Sequence, residues 1–92
     1  TKIMVDLSHA NSRKDHNAQI EVGDVVAKQI TNGDNRIIGV MIESHLISGR
    51  QDVKPDHELI YGQSITDACL GWENTVALIE SLAKASQLRK IN

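Results

Sequence analysis

Apolar residues fall in blocks of two kinds along this chain, short unbroken runs and longer stretches with helical spacing. The first run, Lys2 to Ser8, is apolar apart from Asp6 and stops at the polar cluster from His9 to Ser12, which predicts a strand. Ser12 followed by Asp15 resembles a capping box with Asp in place of Glu. Helical spacing then runs through Val22, Val25, Val26, Gln29 and Ile30. Thr31-Asn32-Gly33 predicts the helix end, because Asn and Gly tolerate the left-handed conformation found there. Arg36 to Glu43 predicts a second strand, and its near-continuous apolar character suits one covered on both faces. Strand, helix and strand in this order predict a parallel unit.

From Ser44 to about Gln63 the chain turns polar and is punctuated by Ser48-Gly49, Lys54-Pro55-Asp56 and Tyr61-Gly62. This reads as a long structureless connection, and connections of that length are usually functional or disordered. Ser64 to Asp67 would open a short helical turn, broken by Gly71. Leu78, Ile79, Leu82, Ala83, Ala85 and Leu88 then mark one face of a helix from about Trp72 to Leu88. Lys84 and Arg89 in its last turn suit the helix dipole. The fold class is therefore α/β, with the order βαβα and no internal domain boundary.

Composition narrows the function classes. The chain has 92 residues, 40% of them hydrophobic and 24% charged, enough for one small domain or a piece of a larger one. A net charge of −2 gives no electrostatic reason to expect nucleic acid or an anionic membrane as partner. No apolar run approaches the roughly 20 residues of a spanning helix. The start of the chain does not read as a secretory leader. The single cysteine, Cys69, rules out an internal disulfide and fits a cytoplasmic setting.

Candidate chemistry sits where the strands should end. His9 follows the first strand, Glu43 closes the second, and Asp67 lies at the far end of the long connection. Parallel neighbours joined by one crossover have their carboxyl ends side by side, about 5 Å apart, so the three side chains can approach one centre. A neutral imidazole and two carboxylates suit a divalent cation such as Mn²⁺, Fe²⁺, Co²⁺ or Zn²⁺. If His9 is a ligand, its second nitrogen should donate to an outer partner. The plainer alternative makes His9 and Asp67 polar residues near helix ends and Glu43 a solvated strand end.

Other candidates are weaker. His45 is either a second-layer group or a solvated loop residue, and His16 and His57 read as surface. Cys69 is a candidate redox-sensitive thiol or a small buried hydrophobe. Asp6 inside a strand needs a partner, expected to be a cationic residue that this chain lacks. Asp6, Ser8 and His9 mimic a nucleophilic triad in composition, but their closeness in sequence argues against convergence.

Three blocks then carry a resemblance over essentially the whole chain. MVDLSHANSRKD, IIGVMIESHLISGRQ and YGQSITDACLGWENTVALIESLA resemble the carboxyl-terminal part of type I DAHP synthase, the 3-deoxy-D-arabino-heptulosonate 7-phosphate synthase that opens the shikimate pathway of aromatic amino acid biosynthesis. The resemblance implies a (β/α)8 TIM barrel with its active site at the carboxyl ends of the strands, of which this chain would be the last quarter. It also implies condensation of phosphoenolpyruvate with erythrose 4-phosphate, with release of phosphate. The implied divalent metal is held by a cysteine, a histidine, a glutamate and an aspartate. The last three map to His9, Glu43 and Asp67, while the cysteine belongs to an early strand that nothing here matches, so Cys69 is not that ligand.

Departures from the family pattern set further expectations. The early cysteine, the cationic phosphoenolpyruvate-binding residues, the Lys-Pro-Arg-Thr segment and the inhibitor pocket have no match, so the 92-residue chain alone is expected to be inactive. Two strands leave open edges, so the chain is expected either to self-associate through them or to lie beside the rest of its barrel, and the full-length enzyme is expected to be a homo-oligomer. The alternatives are a non-catalytic α/β assembly or binding module, or a related sugar-acid phosphate synthase.

Overall fold

A computed structural model of the chain describes residues 1–9 and 15–91. Strand β1 (Ile3–Asp6) pairs in parallel with β2 (Ile37–Met41), and helix α1 (Ala18–Thr31) lies between them in sequence. Two further short strands, β3 (Ile47–Arg50) and β4 (Gln63–Ser64), form a second parallel pair, and helix α2 (Trp72–Ile91) closes the order. The predicted βαβα order is present, with an added two-stranded sheet in its long connection.

The core lies where α1 and α2 pack on one face of β1 and β2. Leu7, Val26, Ile30, Ile37, Leu70 and Leu78 are buried there. The buried stripe of α1 is Gln19, Gly23, Val26 and Ile30, so the predicted Val25 (57% exposed) and Gln29 face outward. On α2, Thr75, Leu78 and Ala85 are buried with Leu82 packed against them, whereas Ile79, Ala83 and Leu88 are exposed. Both corrections have one cause. Helical spacing admits several neighbouring stripes, and packing of the two helices on each other selects the one with small or polar members.

Gly23 shows how close the helices come: a Cβ at this position would lie 2.3 Å from Leu78 Cδ1. No side chain fits there without a shift of Leu78. The ends of α1 are set by backbone chemistry. The Ser12 half of the expected cap lies outside the described residues, and the Asp15 carboxylate accepts from the Asn17 amide at 3.0 Å just before the helix. At the other end Gly33, at φ +99°, donates to Ile30 O and Asp34 donates to Gln29 O, a Schellman closure. Arg36 then grips the Asp34 carboxylate with Nε and Nη2 and holds its pKa down to about 2.

Three other expectations are corrected. The connection from Ser44 to Gln63 is ordered, because its backbone is stitched by hydrogen bonds and by Gln51, whose side chain bonds Ile60 and Gln63. Strands of two and four residues are too short to leave a periodic signal. Ser64 to Asp67 is β4 followed by a bend in which the Ser64 hydroxyl accepts from the Thr66 amide, rather than a helical turn. Arg89 reaches away from its own helix end to donate to Asp34 O and Ile37 O, both at 2.9 Å, tying α2 to the entrance of β2.

One face of the β1–β2 sheet is open. Met4 is 66% and Ile38 65% exposed, so β2 is covered on one face and not on two as expected. The radius of gyration, 15.2 Å, exceeds the roughly 12 Å of a compact chain of this length. The helix contact yields a prediction. Gly23→Ala should destabilise the chain by about 1–3 kcal/mol through overpacking against Leu78. Urea unfolding followed by circular dichroism would check this, and an unchanged midpoint would contradict the close approach.

Candidate metal centre

Parallel pairing places Asp6 opposite Met41, and the Leu7 amide donates to Met41 O at 2.9 Å. The two strands therefore release the chain at the same rim. His9 follows on one side in the left-handed region, at φ +50°, a conformation that His adopts more readily than most side chains. Glu43 follows on the other, and Asp67 arrives from the bend after β4.

The ligand atoms of His9, Glu43 and Asp67 lie within 4.8 Å of one another. His9 Nε2 is 3.4 Å from Glu43 Oε2 and 3.5 Å from Asp67 Oδ2. Two donors each roughly 2.1 Å from a tetrahedral cation are separated by about 3.4 Å, so these spacings fit one ion. The donor set fits equally, since imidazole and carboxylate are ligands for first-row divalent ions. Among the described residues this is the only cluster of its kind.

The other ring nitrogen fixes what Nε2 can do. His9 Nδ1 lies 2.9 Å from Asp6 Oδ2 and 2.8 Å from Ser8 Oγ. Ser8 gives its hydroxyl proton and its amide to Asp6 Oδ1, so the proton between Asp6 Oδ2 and the ring belongs to Nδ1. In neutral His9 the lone pair is then on Nε2 and points among two carboxylates. That arrangement favours a positive charge in the middle, either a ring proton or a cation. The hydrogen bond to Asp6 raises the His9 pKa, with the charges of Glu43, Asp6 and Asp67 adding to it against some burial. Hydrogen bonds from Ser8 and then His9 lower that of Asp6.

One sequence reading gains detail here and another changes. Asp6 finds partners close by in Ser8 and His9. Asp6, Ser8 and His9 do converge, because the left-handed turn at His9 brings its ring back over the strand end. Ser8 is buried and donates to the carboxylate, an arrangement that orients a ligand and does not activate a nucleophile. The outer acceptor expected for the second ring nitrogen is present in Asp6 Oδ2.

The remaining candidates separate. His45 is exposed and its Nδ1 accepts from the Leu46 amide; His57 is exposed and His16 half-buried, and neither joins the cluster. Cys69 is half-buried, its Sγ donating to Asp67 O at 3.4 Å. Burial first, then the neighbouring Glu43 and Asp67 carboxylates, pushes its pKa up. Sequence reasoning missed Gln19, whose buried amide bonds the Glu43 backbone at both N–H and C=O. A glutamine within a helical apolar stripe was the available signal.

The DAHP synthetase I family profile matches residues 1–80. The chain belongs to that family. It is 49% identical over 89 residues to a Phe-sensitive phospho-2-dehydro-3-deoxyheptonate aldolase of Escherichia coli K12, covering 97% of this chain and 25% of the relative. A tyrosine-inhibited enzyme of the same name from Schizosaccharomyces pombe is 50% identical over 95 residues, covering 99% of this chain and 26% of the relative. The solved phospho-2-dehydro-3-deoxyheptonate aldolase of Francisella tularensis SCHU S4 superposes with a TM-score of 0.90 at 50% identity, over 97% of this chain and 26% of that one. This member of the DAHP synthetase I family thus spans about a quarter of the length of the relatives it matches. No helix among the described residues is long and apolar enough to cross a membrane.

The Asp6 contact can be tested. Asp6→Asn removes the charged acceptor of the Nδ1 proton, so the His9 pKa should fall. Titration of the His9 ring protons by NMR would read this shift, and an unmoved value would contradict the assigned contact.

Proposed function

We propose that the protein containing this chain condenses phosphoenolpyruvate with erythrose 4-phosphate to DAHP and phosphate, and that His9, Glu43 and Asp67 are ligands of its divalent cation. The observation that carries this reading is the convergence of three acceptor atoms, from residues remote in sequence, at the rim of a parallel sheet in a member of the DAHP synthetase I family. On this reading the chain is the last two βα units of a (β/α)8 barrel, in which active sites lie at the carboxyl ends of the strands.

His9 offers Nε2 while Asp6 keeps the proton on Nδ1 and fixes the ring plane. Glu43 and Asp67 supply two negative charges that hold the cation and limit its net charge. When bound, such a cation (Mn²⁺, Fe²⁺, Co²⁺ or Zn²⁺) polarises an aldehyde oxygen or acidifies a water. Cys69, beside Asp67, holds its proton more firmly than a free thiol, which argues against the redox-sensitive role. A further ligand and the cationic groups for both substrate phosphates come from outside the 92 residues, as does whatever responds to an aromatic amino acid. Relatives named Phe-sensitive and tyrosine-inhibited match this stretch almost equally. A cytoplasmic homo-oligomer belongs to the same reading.

The test grafts this chain in place of the matching stretch of the Escherichia coli relative. The chimera should form DAHP in the presence of Mn²⁺. Glu43→Gln within it should lose more than the roughly 10–100-fold typical of an outer-layer change. The 92-residue chain alone should show no turnover. A folded chimera without activity, or one indifferent to Glu43, would overturn the proposal.

A further inference from the structure

Gln19 is the largest polar side chain fully buried among the described residues, at 1% exposure. It stands in the first turn of α1, and both heteroatoms of its amide bond the main chain of one residue remote in sequence. Its Nε2 donates to Glu43 O at 3.1 Å, and its Oε1 accepts from the Glu43 amide at 3.0 Å. Of the neutral side chains only Gln and Asn offer a carbonyl and an N–H pair in this peptide-like arrangement, and Asn is one methylene shorter.

Position explains the need. The β1–β2 ladder runs out at Met41, two residues before Glu43, so among the described residues the Glu43 N–H and C=O have no strand neighbour on the β1 side. Gln19 occupies that place and makes the two bonds a strand would make. On the other side the Leu70 amide donates to Glu43 O at 3.0 Å. Farther along, Ser44 Oγ and Thr75 Oγ1 share a hydrogen bond of 2.6 Å, which ties the next residue to the start of α2. The backbone carrying Glu43 is thus pinned from two directions while its carboxylate projects to His9.

We propose that Gln19 is a positioning residue of the cation site: by replacing the missing strand neighbour it fixes the Glu43 backbone, and through it the carboxylate facing His9 and Asp67. This rests on the reading of His9, Glu43 and Asp67 as cation ligands. A merely structural tie between α1 and β2 would affect stability and leave the bound ion alone. The two roles are separable because Gly23→Ala loosens the same helix at Leu78 without touching Glu43.

The experiment titrates this chain, carried in the Escherichia coli chimera described above, with Mn²⁺, reading free ion by electron paramagnetic resonance under conditions where each variant is folded. Gln19→Met keeps volume and removes both hydrogen bonds. It should weaken Mn²⁺ binding at least tenfold, while Gly23→Ala, destabilised through packing, binds as the unsubstituted chain does. Linkage supplies a second measurement that needs no variant. Mn²⁺ should slow hydrogen exchange in fragments covering residues 42–44 more than in those covering 37–39, since an ion that needs a fixed Glu43 must in turn hold it. Equal affinity of Gln19→Met and the unsubstituted chain overturns the assignment, as does a parallel loss in Gly23→Ala or exchange at 42–44 unmoved by bound Mn²⁺. No Mn²⁺ uptake by the unsubstituted chain overturns the underlying cation reading as well, an outcome distinct from uptake that ignores Gln19.

Discussion

The parallel ladder between β1 and β2 is the constraint from which the rest of the site follows. Its register puts Asp6 beside Met41, and the two strands deliver the chain to one rim within a few ångströms. Beyond that rim no bonds between β1 and β2 remain among the described residues, and side chains take over much of the work of the missing neighbour. On the β1 side, Asp6 collects the Ser8 amide, the Ser8 hydroxyl and His9 Nδ1, which folds the turn back on its own strand. On the β2 side, Gln19 and the Leu70 amide bracket the Glu43 peptide. Each candidate ligand on the sheet rim is therefore oriented by a buried or half-buried polar partner that is not itself a ligand.

Charge then decides what the rim can hold. Asp6, Glu43 and Asp67 bring three carboxylates to one imidazole, and the ring has already committed one nitrogen to Asp6. Among the described arginines, Arg36, Arg50 and Arg89 are engaged elsewhere, with Asp34, with Asp52 and Thr66 O, and with backbone carbonyls respectively. A proton on Nε2 answers the local excess of negative charge only in part, because it is one charge against several. On the proposed reading, a divalent ion would answer it more fully, at spacings suited to coordination. The raised pKa of His9 and the proposed affinity for cations would then be two expressions of the same field. Proton and ion would compete for one lone pair, so ion binding would weaken as the pH falls.

What the sequence disclosed depended on length scale. β1, β2 and the two helices were legible because each repeats an apolar pattern over enough residues to be distinguished from chance, and the rim placement of His9 and Glu43 followed from the parallel order. Asp67 was legible as a candidate because a long connection can fold back over the same edge and because its block resembles that of the family's ligand aspartate. β3 and β4 were not legible, since their order comes from backbone bonds and from Gln51 rather than from apolar repeats. The convergence of Asp6, Ser8 and His9 was discounted for a related reason. Extended residues at such spacing point to alternate faces, and the left-handed φ at His9, which reverses that geometry, leaves no mark in the sequence. Gln19 was hidden by its chemistry, because a glutamine in a helix is usually a solvated one.

The open face of the sheet shows why the same rim is both well built and incomplete. Met4 and Ile38 project from the side that neither helix covers, and exposed apolar side chains on a two-stranded sheet lower its stability and invite pairing at its edges. Yet the slice superposes on a protein about four times longer with a TM-score of 0.90, so the arrangement of strands, helices and rim is the one held inside the longer relative. Local devices account for that agreement: the Schellman closure of α1, the Arg89 bonds to the entrance of β2 and the Gln19 clamp all lie within the slice. Geometry of the three candidate ligands is encoded locally, whereas burial of Met4 and Ile38 is not. On the proposed reading, the surrounding strands supply that burial and the remaining ligand together, so closing the sheet and completing the cation site are one structural event.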